Sequence, residues 1–338
     1  MPGRELFGVG AGSRQGSASS NGALVALLFL LVLPSFARPP ADGRSQGDQD
    51  TIRVDVDLVV LHATVRTHRG ILVSGLNRED FQVFEDGVPQ EIKIFSREDI
   101  PVTVGLVVDN SGSMKSKRAK VVAAALAFVR SSHPEDQMFV VNFNENVTFG
   151  LPADTPFTDN EDQLRVALSG VKADGMTALY DATAAALAHL TKGELDKKVL
   201  IVVSDGADNA SQHTFAQIMA MAGQSDAIIY TLGLFETDDP DRNPGVLRRL
   251  ARTTGGEAFF PRSIDRVVPI SEQIARDIRN QYTIAYVPTN RTQDGTYRAI
   301  RVRVKAGTPD RERLSVRTRA GYYAVAKPGP LPEARHQP

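Results

Sequence analysis

Asp109-Asn110-Ser111-Gly112-Ser113 sets a carboxylate and two hydroxyls at alternate positions of a short, glycine-containing turn. Such a turn can aim all three oxygens at one point. Two other stretches offer oxygens of the same kinds: Thr177, in Asp174-Gly175-Met176-Thr177, and Asp205, in Ser204-Asp205-Gly206-Ala207-Asp208. Two carboxylates and three hydroxyls suit a hard divalent cation, Mg2+ first, with Mn2+ or Ca2+ as alternatives. Such ions take oxygen ligands, and Mg2+ is held by one or two carboxylates with neutral oxygens or water completing its shell. Hydroxyls are weak neutral donors, so the cation would stay electron-poor and would favour an anionic ligand at an open position. A partner's Asp or Glu carboxylate would satisfy it. Local readings stay open beside this one: Ser111 or Ser113 can cap a helix beginning near Lys115, and Thr177 can cap the helix it precedes.

The elements that would position these residues are legible around them. Residues 102–108 form a nearly continuous apolar run ending in Asp109, as in a parallel strand buried on both faces. Similar runs follow at 138–143, 198–204, 227–234 and 257–260. Between and after them, residues 118–130, 177–190, 214–222, 246–253 and 264–280 carry apolar or alanine positions at three- and four-residue spacing, which predicts helices. Strands alternating with helices predict a doubly wound, mostly parallel α/β sheet, whose ligands gather at the carboxyl ends of the strands. Asp109 and Asp205 both fall at such ends.

The flanks have a different texture. From Thr51, Val54, Val56, Leu58 and Val60 alternate with Asp55 and Asp57, the period of a half-buried strand. Residues 81–84 and 91–95 read as a hairpin around Glu85-Asp86-Gly87, since Asp-Gly supplies the positive φ that tight hairpins need. Residues 282–287, 297–305 and 314–319 return to strand patterns, and Arg298, Arg301, Arg303 and Lys305 make one of them basic. Each flank is short for an independent sandwich, so the two are expected to pack together into a β-sandwich-like domain with the α/β domain inserted between them. The expected organisation is 1–37 signal peptide, 38–50 linker, 51–100 first β segment, 101–280 α/β domain, 281–324 second β segment and 325–338 disordered tail.

Composition narrows the function classes. With 39 basic against 40 acidic side chains in 338 residues, the net charge is −1, which gives no basis for phosphate attraction to nucleic acid. No cysteine is present, so disulfides, thiolate nucleophiles and sulfur-ligated metals are excluded. His62, His68, His133, His189, His213 and His336 show no two-histidine metal spacing and no Ser-His-Asp order. Arg4 and Arg14, the apolar run 22–33 and the small residues Ser35 and Ala37 have the layout of an export signal cleaved after Ala37. The run is short of the roughly 20 residues of a membrane span, so cleavage is expected over an uncleaved anchor, leaving a periplasmic or secreted protein.

Asp109-Asn110-Ser111-Gly112-Ser113 matches the Asp-x-Ser-x-Ser signature of von Willebrand factor type A domains, with Thr177 and Ser204-Asp205-Gly206 where that family places its other ligands. The resemblance spans about residues 101–280 and implies a metal-ion-dependent adhesion site in which Ser111, Ser113 and Thr177 contact the cation and Asp109 and Asp205 reach it directly or through water. Met176, where many members have glycine, is the one departure beside the site. With its flanking strands and signal, the whole chain resembles bacterial von Willebrand factor A-related proteins. The function implied is capture of a protein partner, without catalysis. Two rivals stand beside it: a metal-assisted hydrolase or phosphotransferase, and a scaffold subunit of a cell-envelope complex. The enzyme reading lacks a phosphate-cradling loop with lysine, an Asp-x-Asp pair and a general base placed beside Ser111.

Overall fold

The computed structural model describes residues 58–235, 242–305 and 314–325, all within one compact unit. The signal, the linker, residues 326–338 of the tail and residues 54–57 of the first expected strand lie outside the described residues. In chain order the elements are β1 (Val59–Arg66), β2 (Phe81–Glu85), β3 (Val88–Gln90), β4 (Ile92–Ser96), β5 (Thr103–Asp109), α1 (Arg118–Ser131), β6 (Gln137–Phe143), β7 (Val147–Phe149), α2 (Glu161–Ser169), α3 (Leu179–Leu190) and β8 (Lys198–Ser204). They continue with α4 (Phe215–Gln224), β9 (Ile228–Gly233), α5 (Pro244–Thr254), β10 (Ala258–Phe259), α6 (Val267–Arg279), β11 (Tyr282–Tyr286), β12 (Tyr297–Val304), β13 (Ser315–Arg317) and β14 (Gly321–Tyr323).

The central sheet has the order β10-β9-β8-β5-β6-β7 and is parallel except for β7. Every residue of β5 is buried, as its unbroken apolar run requires. Val104, Leu106 and Val108 face a core formed with Val121, Phe128, Ile274 and Ile278 of α1 and α6. Val107 faces the opposite core, with Leu187, Ile218 and Leu250 of α3, α4 and α5. Each such aliphatic side chain withdrawn from water contributes about 1.5–3 kcal/mol before entropy is counted. Gly105 has no room for more: a Cβ there would lie 2.5 Å from both Leu200 and Phe139. The chain leaves β5 toward β6 and returns to β8 on its other side, so the carboxyl ends of β5 and β8 flank the point where strand order reverses.

The flanks form two four-stranded antiparallel sheets, β13-β1-β11-β4 and β14-β12-β2-β3, and each takes strands from both ends of the chain. Their shared core holds Leu61, Val65, Phe81, Val83, Tyr282 and Tyr286. The buried Glu85 carboxylate accepts hydrogen bonds from the Tyr286 and Tyr322 hydroxyls at 2.7 and 3.0 Å, which links strands of both sheets. Toward the central sheet, Asp277 of α6 is buried against Arg66 of β1 and lies 3.9 Å from Arg317 of β13, which also pairs with Glu257. Burial pushes the Asp277 carboxyl up, and the Arg66 and Arg317 charges oppose that shift.

The mixed α/β architecture with flanking β sheets is the one the sequence leads to expect, and four local readings need correction. In the hairpin, Asp86 and Gly87 both have positive φ, 48° and 84°, as the Asp-Gly signal requires. The partner of β2 is β3, however, and residues 92–96 cross to the other sheet to pair with β11. Pro89 is tolerated in β3 because that strand is an edge. In β1 the alternation runs in the other phase: Val60 is 44% exposed while Leu61, Ala63 and Val65 are fully buried. The third correction is β7, a short antiparallel edge strand that the sequence reading passes over. The fourth is α2, also unanticipated, although Leu164, Ala167 and Leu168 bury one helical face and the Asn160 side chain accepts from the backbone N–H of Asp162 and Gln163. Asn160→Ala is expected to cost about 1 kcal/mol of stability through the lost cap, measured by urea unfolding; an unchanged midpoint would show that α2 needs no cap.

Candidate metal centre

Three loops at the carboxyl edge of the central sheet are tied to one another by backbone hydrogen bonds. Gly112 N–H donates to the Gly175 carbonyl at 3.0 Å, and Asp174 N–H to the Asn110 carbonyl at 2.9 Å, joining the loop after β5 to the loop before α3. Asn209 completes the set: its side-chain oxygen accepts from Thr177 N–H at 2.8 Å, while its own N–H donates to the Thr177 carbonyl at 3.0 Å. Thr177 is thereby fixed to the loop that follows β8 and carries Asp205. Gly175 and Gly206 both adopt positive φ, 82° and 80°. At Gly206 a Cβ would also fall 2.4 Å from the Asn243 carbonyl oxygen.

Within that frame four of the five expected ligands form one hydrogen-bonded chain. Asp109 Oδ1 accepts from Ser111 N–H at 2.8 Å, the Ser111 and Ser113 hydroxyls lie 3.2 Å apart, and the Ser113 hydroxyl donates to Asp205 Oδ2 at 2.5 Å. Asp205 Oδ1 accepts from Ala207 N–H at 3.1 Å. Thr177 is buried at the edge of this group, and its ties to the neighbouring loops run through its backbone. It precedes α3 by two residues, and the N-cap position of that helix is Ala178. Ser111, Asp109 and Asp205 are buried, whereas Gly112, Ser113, Gly175 and Met176 face solvent, so the group is reached from that side.

The electrostatics bear on what the group could hold. Burial pushes the Asp109 carboxyl up to about 6; hydrogen bonds from Ser111 and Ser204 pull against that, and the charge of Asp205 adds to it. Asp109 and Asp205 are 2% and 0% exposed. Among the described residues neither makes an ion pair with a cationic side chain. Two buried carboxylates close together are unfavourable unless a counter-charge joins them, so this donor set fits a divalent cation. Among the described residues no three His, Cys, Asp or Glu side chains converge as a metal cluster. A cation here would therefore depend on hydroxyls, as Mg2+ tolerates when water completes its shell.

Several further residues shape the group. Ser204 donates to Asp109 Oδ2 at 2.6 Å and accepts from Gly206 N–H at 3.0 Å, so it fixes the carboxylate from the neighbouring strand. Lys117 is buried, with its ammonium donating to the carbonyls of Ser113 and Leu234, each at 3.1 Å. It clips the loop after β5 to the end of β9; an isolated lysine on a helix carries no sequence signal for that. Asp208 accepts from Tyr180 N–H at 2.8 Å and from the Ser211 hydroxyl at 2.6 Å, a loop-fixing role. Asp181 accepts from the backbone N–H of Gln212 and His213 and pairs with His213 Nδ1 at 2.7 Å. The Ser211 hydroxyl is directed to Asp208, so this Asp-His pair is not joined to that serine as base to nucleophile.

The chain is similar in structure to a von Willebrand factor type A protein from Catenulispora acidiphila, with 17% identity, a TM-score of 0.47 and coverage of 66% of this chain and 51% of that one. It is also similar to BatB from Bacteroides thetaiotaomicron, at 18% identity and a TM-score of 0.40 over 53% of this chain and 98% of that one. A third is the manganese-loaded TRAP protein of Plasmodium vivax, at 13% identity and a TM-score of 0.43 over 71% and 97%. No curated protein matches the chain. The sequence model of the von Willebrand factor type A domain matches residues 104–207, from β5 to the loop after β8. That span contains all five expected ligands, and the chain carries a von Willebrand factor type A domain.

Proposed function

We propose that this chain is an exported binding protein whose type A domain captures a partner's Asp or Glu through a divalent cation held by Asp109, Ser111, Ser113, Thr177 and Asp205. The observation that carries this reading is the pair of buried carboxylates, linked through Ser111 and Ser113 and, among the described residues, without a cationic side chain, at the carboxyl edge of the sheet. The cation would supply a Lewis-acidic point for an anionic ligand. The protein's part is to orient Asp109 and Asp205 through Ser204 and the loop amides, so that the open side falls near Ser113 and Met176. Mg2+ is the preferred ion, with Mn2+ and Ca2+ as alternatives. Among the described residues no helix is long and apolar enough to cross a membrane; export rests on the N-terminal signal pattern.

The test is calorimetric titration of Mg2+, Mn2+ and Ca2+ into the purified chain beside Asp109→Ala. One-to-one binding that disappears in the variant is expected. Absence of binding by any of the three ions to the unaltered chain would end the cation-mediated reading and leave only the domain assignment.

A further inference from the structure

Away from that edge, a cleft of about 740 Å³ opens between α5, β10 and the strands β12 and β13. Its lining includes five arginines, Arg248, Arg252, Arg301, Arg317 and Arg319, against one acid, Glu257. That acid is committed to Arg317. Arg319 is committed as well, to Asp226 and to the carbonyls of Gly223 and Gly321. Arg248, Arg252 and Arg301 are exposed and, among the described residues, make no ion pair.

Among the described residues nothing else in the lining offsets this concentration of charge. Arg248 and Arg252 stand four residues apart on one face of α5, a helix without a single acidic residue, and like charges at that spacing repel. Arg248 is held in place with its guanidinium 4.5 Å from the centre of the Phe260 ring, itself part of the lining. The basic strand read from the sequence resolves in the same sense. Arg298 turns inward to Asp294, Arg303 lies over Phe84, and Arg301 is the member that lines the cleft. Between the charged positions the lining is aliphatic, with Ala251, Ala258, Ile300, Val302 and Val316. The Thr318 hydroxyl, also in the lining, is buried and has no hydrogen-bond partner among the described residues.

We propose that this cleft binds an acidic, extended segment of a partner protein, with Arg248, Arg252 and Arg301 receiving its carboxylates. Guanidinium groups take carboxylates through paired, charge-assisted hydrogen bonds. In an extended segment successive side chains point to opposite sides, so acids alternating with aliphatic residues meet the arginines on one side and the aliphatic lining on the other. The site is independent of the cation.

The probe is a fluorescein-labelled peptide of alternating Glu and Val, followed by anisotropy with the full chain in EDTA. Saturable binding is expected, weakened at least about tenfold in a variant carrying Arg248→Glu, Arg252→Glu and Arg301→Glu, and weakened as salt is raised to about 200 mM. A peptide of alternating Gln and Val should not bind. The corresponding Arg→Gln variant, with the melting temperature of each protein, separates lost contacts from lost structure. Equal binding by the chain and its folded variants, equal binding of the Gln-Val peptide, or attachment only to phosphatidylglycerol vesicles and not to the acidic peptide would each overturn the proposal.

Discussion

Asp205→Asn is expected to remove the Mg2+-dependent rise in melting temperature completely while leaving the metal-free protein at least as stable as the original chain. The geometry allows these effects to separate. Asp205 Oδ1 accepts from Ala207 N–H, and an asparagine oxygen can do the same; Oδ2 faces the Ser113 hydroxyl, which can rotate to accept from the asparagine N–H and donate instead to Ser111. The substitution keeps every neighbour and removes one of two buried charges that repel each other. A cation bound only by the folded state at about 100 times its dissociation constant would stabilise the original chain by about 2.7 kcal/mol. With one of its two carboxylates gone, the variant should show none of this. Melting curves in EDTA and in saturating Mg2+ for both proteins give the answer. A shift that persists in the variant would remove Asp205 from the ligand set, and a variant melting well below the original in EDTA would mean that the carboxylate serves the fold.

Asp109 and Asp205 could be placed at strand ends because buried parallel strands announce themselves by unbroken apolar runs, with Asp109 closing β5 and Asp205 following β8. What the sequence did not reveal is how the loops are tied. Asn209 bridging to Thr177, Ser204 bonding to Asp109 and Lys117 spanning two carbonyls are contacts between residues 32, 95 and 117 positions apart. No local pattern encodes them. The helix α2 was different, since its Asn160 cap and 164/167/168 spacing were present to be read. In the flanks, period-two patterning identified strands but not partners. Residues 91–95 were paired with 81–84 because hairpins are the commonest local solution, whereas Ile92–Ser96 pairs edge to edge with β11 from the other end of the chain. The phase of β1 was misread because the alternation was carried forward from the residues before Val59, whereas Leu61, Ala63 and Val65 alternate with His62, Thr64 and Arg66 and mark the buried face.

Raising the pH from 7 to 10 is expected to stabilise this protein through a single side chain, Lys197, just before β8. Its side chain is buried, and its ammonium donates to the Ile278 carbonyl in the last turn of α6, where backbone acceptors lack helical partners. Burial pulls its pKa down to about 7, with the charges of Asp99 and Asp136 opposing. The folded state therefore gives up this proton near pH 7, whereas the unfolded chain keeps it until about 10.4. Between those values the unfolded state binds more protons, so stability rises with pH, by at most about 1.4 kcal/mol per unit and roughly 4–5 kcal/mol across the window. Below pH 7 both states are protonated, and the penalty is present in full and constant. Lys197→Met should remove the slope. At pH 7 it should stabilise the protein even after the loss of about 1 kcal/mol for the hydrogen bond to Ile278. Urea unfolding of both proteins at pH 7 and pH 10 measures the difference, and the other titrating groups are common to both chains. If the two slopes coincide, the lysine is hydrated in solution; if the variant is several kcal/mol less stable at pH 7, the ammonium is an effective cap for α6, and burial is the smaller influence.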